Sequence, residues 1–284
     1  MKKLFFRFAI ACMLSGFLLA TPNPAIAYGD IVTSSQTVVT VPSLAYDASI
    51  KVETKAFVWS YGDENFTWQV AVPSDLLAWD KTFQANIKNY YSCDYAYQQS
   101  ILYRRADNIL REAIDSCRSD VPDYSAWMNE PVNQAYVSFL ARDLNLAAKV
   151  CQYNRYETAD FILSFVGSSI PYKLSDLPMF PAATLVNNSD CEGKSILYAS
   201  ILQQLGYKVC FVVFDPDKAN NKEGHVAVGV AFNQDELPQD GNQRSYFSSD
   251  DGKTKYYFAE TTEKDWHVGQ IEKQGDKAHI VEVK

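Results

Sequence analysis

The sequence has little positive charge, and beyond its first residues it has no long apolar run. Lys and Arg number 26 against 34 Asp and Glu, which gives a formal net charge of −8 at pH 7. Because a nucleic-acid-binding surface needs a basic face, this balance argues against DNA or RNA as a partner. After residue 27 no stretch is long and apolar enough to cross a membrane. Repeats and low-complexity segments are also absent, so we expect a globular fold.

The first 27 residues have the organisation of a secretory leader. Three basic residues precede an apolar run over 8–20, and Ala-Ile-Ala at 25–27 has the pattern of a cleavage site. Cleavage there leaves 257 residues with a net charge of −11, because the leader carries three basic residues and no acidic one. We therefore expect an exported protein, secreted or held in the periplasm or at the cell surface, with no membrane span after cleavage.

Cysteine is scarce, and its number after the leader is odd. The five are Cys93, Cys117, Cys151, Cys191 and Cys210. An odd number in an exported protein leaves at least one thiol free if the others pair, and we expect that thiol to be Cys191. If residues 95–116 form one unbroken helix, Cys93 and Cys117 lie ~36 Å apart, so a Cys93–Cys151 disulfide between two antiparallel helices is favoured. The alternative is that most of these cysteines are reduced core residues.

Hydrophobic periodicity divides the mature chain into three segments. Strand signals run from residue 28 to about 80, helical spacing runs from about 76 to 151, and both patterns follow from 156 onward. We therefore divide the chain into a β-rich segment (28–85), a helical segment (86–155) and a mixed segment (156–284). The chain is therefore predicted to be α+β. An aromatic row in the first segment consists of Phe57, Trp59, Tyr61, Phe66 and Trp68. Such a row can hold sugar rings, but cross-strand packing is its commoner use.

The most informative stretch begins at Cys191. Ser189 and Asp190 are good helix N-cap residues, and an apolar helical pattern then continues to Gly206, a residue suited to ending a helix. Cys191 is thus expected at a helix N-terminus. Unpaired backbone N–H groups at that position favour the thiolate form of a cysteine.

Two strand-like runs follow this helix, and each contributes a polar side chain. His225 opens one run, and Glu260 lies in the other. A thiolate can attack an amide or ester carbonyl if a histidine takes the thiol proton and a carboxylate orients the imidazole. The sequence therefore predicts a catalytic triad of Cys191, His225 and Glu260, without metal or cofactor. The alternative is a buried, inert Cys191 beside two ordinary strand residues.

Three motifs within residues 165–269 carry a resemblance to a known family. They are Asp190-Cys191-Glu192, His225-Val226-Ala227-Val228-Gly229-Val230, and Tyr256-Tyr257-Phe258-Ala259-Glu260-Thr261-Thr262 followed by Trp266. This part of the chain resembles the transglutaminase-like family of the papain-like cysteine protease superfamily, in its prokaryotic exported branch. The resemblance implies a core over about 156–284, with the cysteine helix packed on an antiparallel sheet. A β segment (28–85) and a helical pair (86–155) would precede that core.

The chain departs from the family pattern at three positions. Ser189 stands where members usually have Gly, Gly193 where relatives often have an acidic residue, and Glu260 where Asp is common.

The resemblance implies an exported cysteine peptidase or amidase, or a transglutaminase-like acyltransferase. Its substrate would be a protein or peptide, possibly of the cell envelope, and hydrolysis of a peptide or isopeptide amide is favoured over cross-linking. The alternative is a non-catalytic binding or scaffold module for the cell envelope, with the aromatic row of the first segment making its contacts. The oligomeric state is left open.

Overall fold

The computed structural model describes residues 37–43, 46–216, 224–271 and 278–283. The predicted leader lies outside these residues and stays a prediction. The described residues form a mixed α+β fold with eight helices and two sheets, as the periodicity predicts. The helices are α1 (Ser74–Tyr91), α2 (Ala96–Arg105), α3 (Asn108–Ser116), α4 (Ser125–Asn129), α5 (Pro131–Val150), α6 (Arg155–Ser169), α7 (Pro181–Asn187) and α8 (Cys191–Gln204). The strands are β1 (Thr37–Thr40), β2 (Val52–Tyr61), β3 (Glu64–Pro73), β4 (Val209–Phe214), β5 (His225–Ala231), β6 (Tyr246–Ser248), β7 (Lys255–Ala259) and β8 (Ala278–Glu282). None of the described helices combines the length and apolarity that a membrane span requires.

The first sheet has the order β1-β3-β2, and its aromatic row faces the core. Four of the five aromatic residues are buried, and Tyr61 is partly buried. Their rings pack on α6: Phe66 lies 4.6 Å from Phe161 and Trp68 lies 5.2 Å from Phe165, measured between ring centroids. The cross-strand packing prediction is confirmed. The row is therefore not available to bind sugar rings.

The helical region differs from the sequence prediction at two points. Residues 95–116 are two helices rather than one, because Asp107 turns extended and caps α3 by accepting a hydrogen bond from the Leu110 N–H at 2.8 Å. Helix α1 follows β3 directly, so the predicted boundary at residue 85 falls within α1. The prediction of a helix over 131–150 that starts with Pro131 is confirmed by α5.

All five cysteines of the described chain are free, so the expected Cys93–Cys151 disulfide is wrong. The unbroken helix on which that pairing depended does not exist. The thiol of Cys93 instead donates to the Tyr95 carbonyl at 3.7 Å, and Cys151 lies beside Tyr153.

The second sheet has the order β6-β7-β5-β4-β8, with every neighbouring pair antiparallel. Strands β6 and β8 lie outside the strands predicted from the sequence. Helix α8 packs on β4 and β5 on one side and on α5, α6 and α7 on others, so it is buried on nearly all sides. One continuous hydrophobic core reaches from Val41 to Val268, so the three predicted segments share it.

Candidate active site

Asp190 fixes the start of α8 and thereby the position of Cys191. One carboxylate oxygen accepts a hydrogen bond from the Gly193 N–H at 3.4 Å, as an N-cap residue does. The other accepts from the Ser175 N–H at 3.0 Å and the Ser175 hydroxyl at 2.6 Å. Cys191 is the first residue of the helix and is partly exposed, which confirms the predicted helix N-terminus. Gly206 follows the helix with φ of +77°, as its predicted role requires.

His225 and Glu260 come together because β5 and β7 are neighbours in the second sheet. His225 is the first residue of β5, and Glu260 directly follows the end of β7. The imidazole Nε2 lies 2.8 Å from Glu260 Oε2. Glu260 Oε1 accepts from the Thr262 N–H at 2.9 Å and from the Thr262 hydroxyl at 2.7 Å. Both carboxylate oxygens are therefore engaged, and the carboxylate holds the imidazole in one orientation.

The third predicted residue, Cys191, lies close enough to His225 for its side chain to raise the pKa of the imidazole. Since Nε2 faces Glu260, Nδ1 is the ring nitrogen left for the thiol. Burial lowers the pKa of His225, but the hydrogen bonds and negative charges of Cys191 and Glu260 outweigh it and raise that pKa above 6.5. Burial raises the pKa of Glu260, whereas the hydrogen bonds to His225 and Thr262 lower it, and the lowering dominates. This electrostatic arrangement favours the imidazolium form of His225 beside an ionised Glu260.

Ser195 connects the cysteine helix to the two strands that carry His225 and Glu260. It lies one helical turn after Cys191 and is fully buried. Its hydroxyl donates to the Val226 carbonyl at 3.2 Å and lies 3.0 Å from the Thr261 hydroxyl. Val226 and Thr261 directly follow His225 and Glu260. The sequence analysis gave Ser195 no role. Its i+4 spacing from Cys191 was the signal that could have placed both residues on one face of the helix.

Lys194 is a buried cation next to the same site. Its Nζ donates to the Gly167 carbonyl at 3.2 Å and the Ile170 carbonyl at 2.9 Å, at the C-terminal end of α6. Burial lowers the pKa of Lys194 to about 8, while the charges of Glu260 and Glu263 oppose that shift. A cation at a helix C-terminus satisfies the last carbonyls and complements the helix dipole. The hydrogen bonds of Lys194 therefore connect the C-terminal end of α6 to the start of α8.

Two of the departures from the family pattern, Ser189 and Gly193, are in direct steric contact. A Cβ atom added to Gly193 would lie 2.0 Å from Ser189 Oγ and 2.9 Å from Ser189 Cβ. Ser189 is fully buried, so it occupies the space that a side chain at residue 193 would need. The serine and the glycine are therefore sterically complementary.

An open cleft of about 580 Å³ adjoins His225 and Glu260. Its other lining residues are Tyr172, Thr262, Glu263 and Trp266. The two aromatic residues give the cleft apolar walls, and Glu263 adds a carboxylate. In the described parts of the chain, no three His, Cys, Asp or Glu side chains are grouped as a metal site.

No protein-family model matches the chain, and a search of the curated proteins finds no match either. The structure brings Cys191, His225 and Glu260 together. Their catalytic role stays a prediction.

Proposed function

We propose that the protein is an exported cysteine-dependent enzyme that hydrolyses an amide, in a peptide or isopeptide bond, through a thioester on Cys191. The observation that carries the proposal is one chain of contacts: a cysteine at a helix N-terminus meets His225, and His225 meets Glu260 at 2.8 Å. The resemblance of residues 165–269 to transglutaminase-like proteins of the papain-like superfamily supports the same chemistry.

In the proposed reaction the Cys191 sulfur attacks the carbonyl carbon of the amide. The C–N bond then breaks, and the His225 imidazolium gives its proton to the departing amine. Water next attacks the thioester, His225 takes a proton from that water, and the thiolate leaves. The products are a carboxylic acid and an amine. Glu260 stays ionised throughout and stabilises the imidazolium, while backbone N–H groups at the start of α8 are suited to stabilise the oxyanion.

Transfer to an amine instead of water would use the same residues and form a new amide. Hydrolysis is proposed first because, outside the cross-linking enzymes, the family resemblance mostly implies proteases and amidases. The scaffold alternative depended on the aromatic row of the first sheet. Because those side chains are largely buried against α6, they are not available for the contacts that this alternative assigned to them.

The test is the rate at which iodoacetamide alkylates Cys191 near neutral pH, with mass spectrometry to locate the label. Cys93, a free and partly exposed thiol, serves as the internal reference. We expect Cys191 to react faster than Cys93, and His225→Ala to slow it by on the order of ten-fold or more. The matched control is His279→Ala, which removes a histidine paired with Asp215 at 3.0 Å and should leave the rate unchanged.

The proposal fails if Cys191 reacts no faster than Cys93, or if the two histidine variants have equal effects. If reactivity is confirmed, release of fluorescent peptides from labelled casein, lost in Cys191→Ser, would establish hydrolysis.

A further inference from the structure

A second pocket adjoins Cys191 through the next residue in the chain, Glu192. It has a volume of about 300 Å³, and none of its lining residues belongs to the cleft beside His225. Among them are Tyr91, Cys117, Tyr124, Leu177, Pro178 and Glu192. This size is at the lower end of the range for ligand pockets and suits one side chain of a larger substrate.

Glu192 gives this pocket a negative charge with little compensation. Its Oε1 accepts a hydrogen bond from the Tyr124 hydroxyl at 2.8 Å, and Tyr124 is the one donor to it among the described residues. Burial raises the pKa of Glu192, with the hydrogen bond from Tyr124 opposing it and the charge of Asp190 adding to it. No positively charged side chain of the described chain contributes to that pKa. A largely buried carboxylate without a cation is costly, and a cation from outside would relieve that cost.

The basic side chains nearest the pocket have other partners. Lys88 forms an ion pair with Asp176 at 2.7 Å, on the exposed rim. The guanidinium of Arg118 lies over the rings of Tyr90 and Tyr91, with its Cζ 4.7 Å and 5.7 Å from the two ring centroids. The pocket thus has partly aromatic and apolar walls and two carboxylates, of which Asp176 is paired with Lys88 and Glu192 is not paired with a cation among the described residues. Such walls suit the alkyl stem of a long cationic side chain, and the carboxylate of Glu192 suits its head group.

We propose that this pocket binds a positively charged side chain of the substrate, of the lysine or arginine type, beside the amide that Cys191 attacks. The inference deepens the proposed function and rests on it. Glu192 directly follows Cys191, and consecutive Cα atoms are ~3.8 Å apart. Tyr124 lines the pocket and lies close enough to Cys191 for the two groups to interact electrostatically, so a side chain held by Glu192 would have its own residue beside Cys191. The acidic net charge of −8 adds a long-range attraction for cationic substrates.

The test compares two thiol reagents, aminoethyl methanethiosulfonate, which is cationic, and methyl methanethiosulfonate, which is neutral. Each forms a mixed disulfide with Cys191 and releases methanesulfinate, and mass spectrometry separates Cys191 from the nearby Cys117. We expect the ratio of the cationic to the neutral rate constant to fall by on the order of ten-fold in Glu192→Gln, equivalent to ~1.4 kcal/mol. The matched control, Glu263→Gln, removes a carboxylate from the other cleft and should keep the ratio within about two-fold of the unaltered protein.

An unchanged ratio in Glu192→Gln, or a loss in Glu263→Gln instead, would overturn the proposal. A second measurement needs no variant. Nα-acetyl-lysine amide should slow the labelling of Cys191 at roughly ten-fold lower concentration than Nα-acetyl-norleucine amide. Equal protection by the two amides would also overturn it. Failure of the proposed function is distinguishable, because Cys191 would then react with the neutral reagent no faster than Cys93.

Discussion

The contact between Ser189 and Gly193 allows a quantitative test of packing beneath Cys191. Gly193→Ala would place a Cβ 2.0 Å from Ser189 Oγ, 2.9 Å from Ser189 Cβ and 2.9 Å from Thr184 Oγ1. Overpacking of this kind costs about 1–3 kcal/mol, and replacing Gly by Ala inside a helix returns up to ~1 kcal/mol. We therefore expect Gly193→Ala to lower the free energy of unfolding by ~1–2 kcal/mol.

The same substitution should cost less when Ser189 is first replaced by Gly. In that background both contacts with Ser189 disappear, and the contact with Thr184 remains. We expect Gly193→Ala to cost about 0–1 kcal/mol there, which corresponds to a coupling free energy of ~1 kcal/mol between the two positions. Ser189→Ala is the matched control, because it removes Oγ but keeps Cβ and should restore only part of the loss.

Urea unfolding of the four proteins of this double-mutant cycle measures the coupling. The free energies come from the unfolding midpoints, provided that the slopes with urea agree. Additivity within ~0.5 kcal/mol would refute the steric argument, because independent sites behave that way.

Two further predictions concern buried polar groups. Burial raises the pKa of Asp80 to about 7, with the Asn133 hydrogen bond opposing it and the charge of Glu130 adding to it. Because the folded state holds the Asp80 proton more tightly than the unfolded state, stability present in acid is lost as pH rises from about 4 to about 7. The free energy of unfolding of Asp80→Asn should therefore rise relative to that of the unaltered protein as the pH rises, by at most ~4 kcal/mol. Urea unfolding of both proteins at pH 5 and pH 8 measures this difference, and an equal difference at the two pH values would contradict the prediction. Ser195→Ala should lower the unfolding free energy by ~1–3 kcal/mol and slow iodoacetamide labelling of Cys191, because it removes the contacts behind His225 and Glu260. Ser200→Ala on the same helix removes a hydroxyl without a hydrogen-bond partner among the described residues, and equal effects of the two variants would contradict the argument.

Local sequence was sufficient for the elements whose signals are local. Asp190 before an apolar helical pattern and Gly206 after it determined where α8 starts and ends. Pro131 did the same for the start of α5. The aromatic alternation of β2 and β3 determined which face of the first sheet is buried. These features depend on capping, backbone freedom and period, which act over a few residues.

Contacts between residues far apart in the sequence could not be predicted from these local signals. The sequence predicted that Cys191, His225 and Glu260 belong together, but the order of strands decided that Nε2 of His225 faces Glu260. The break between α2 and α3 has a local signal in the Asp107 N-cap, whereas the absence of the Cys93–Cys151 disulfide depended on where the tertiary structure places the two cysteines.

Tertiary structure alone decided what surrounds the candidate triad. Ser195 contacts Val226 and Thr261, and Glu192 meets Tyr124, across separations of 31, 66 and 68 residues. Nothing in the local periodicity specifies such contacts, since they form only when separate elements pack into one core. The sequence by itself determined a cysteine at a helix start, followed by a histidine and a carboxylate. The packing of α8 on the second sheet decided that the three meet, and the placement of α1, α3 and α4 around Glu192 decided that a carboxylate-lined pocket lies beside Cys191.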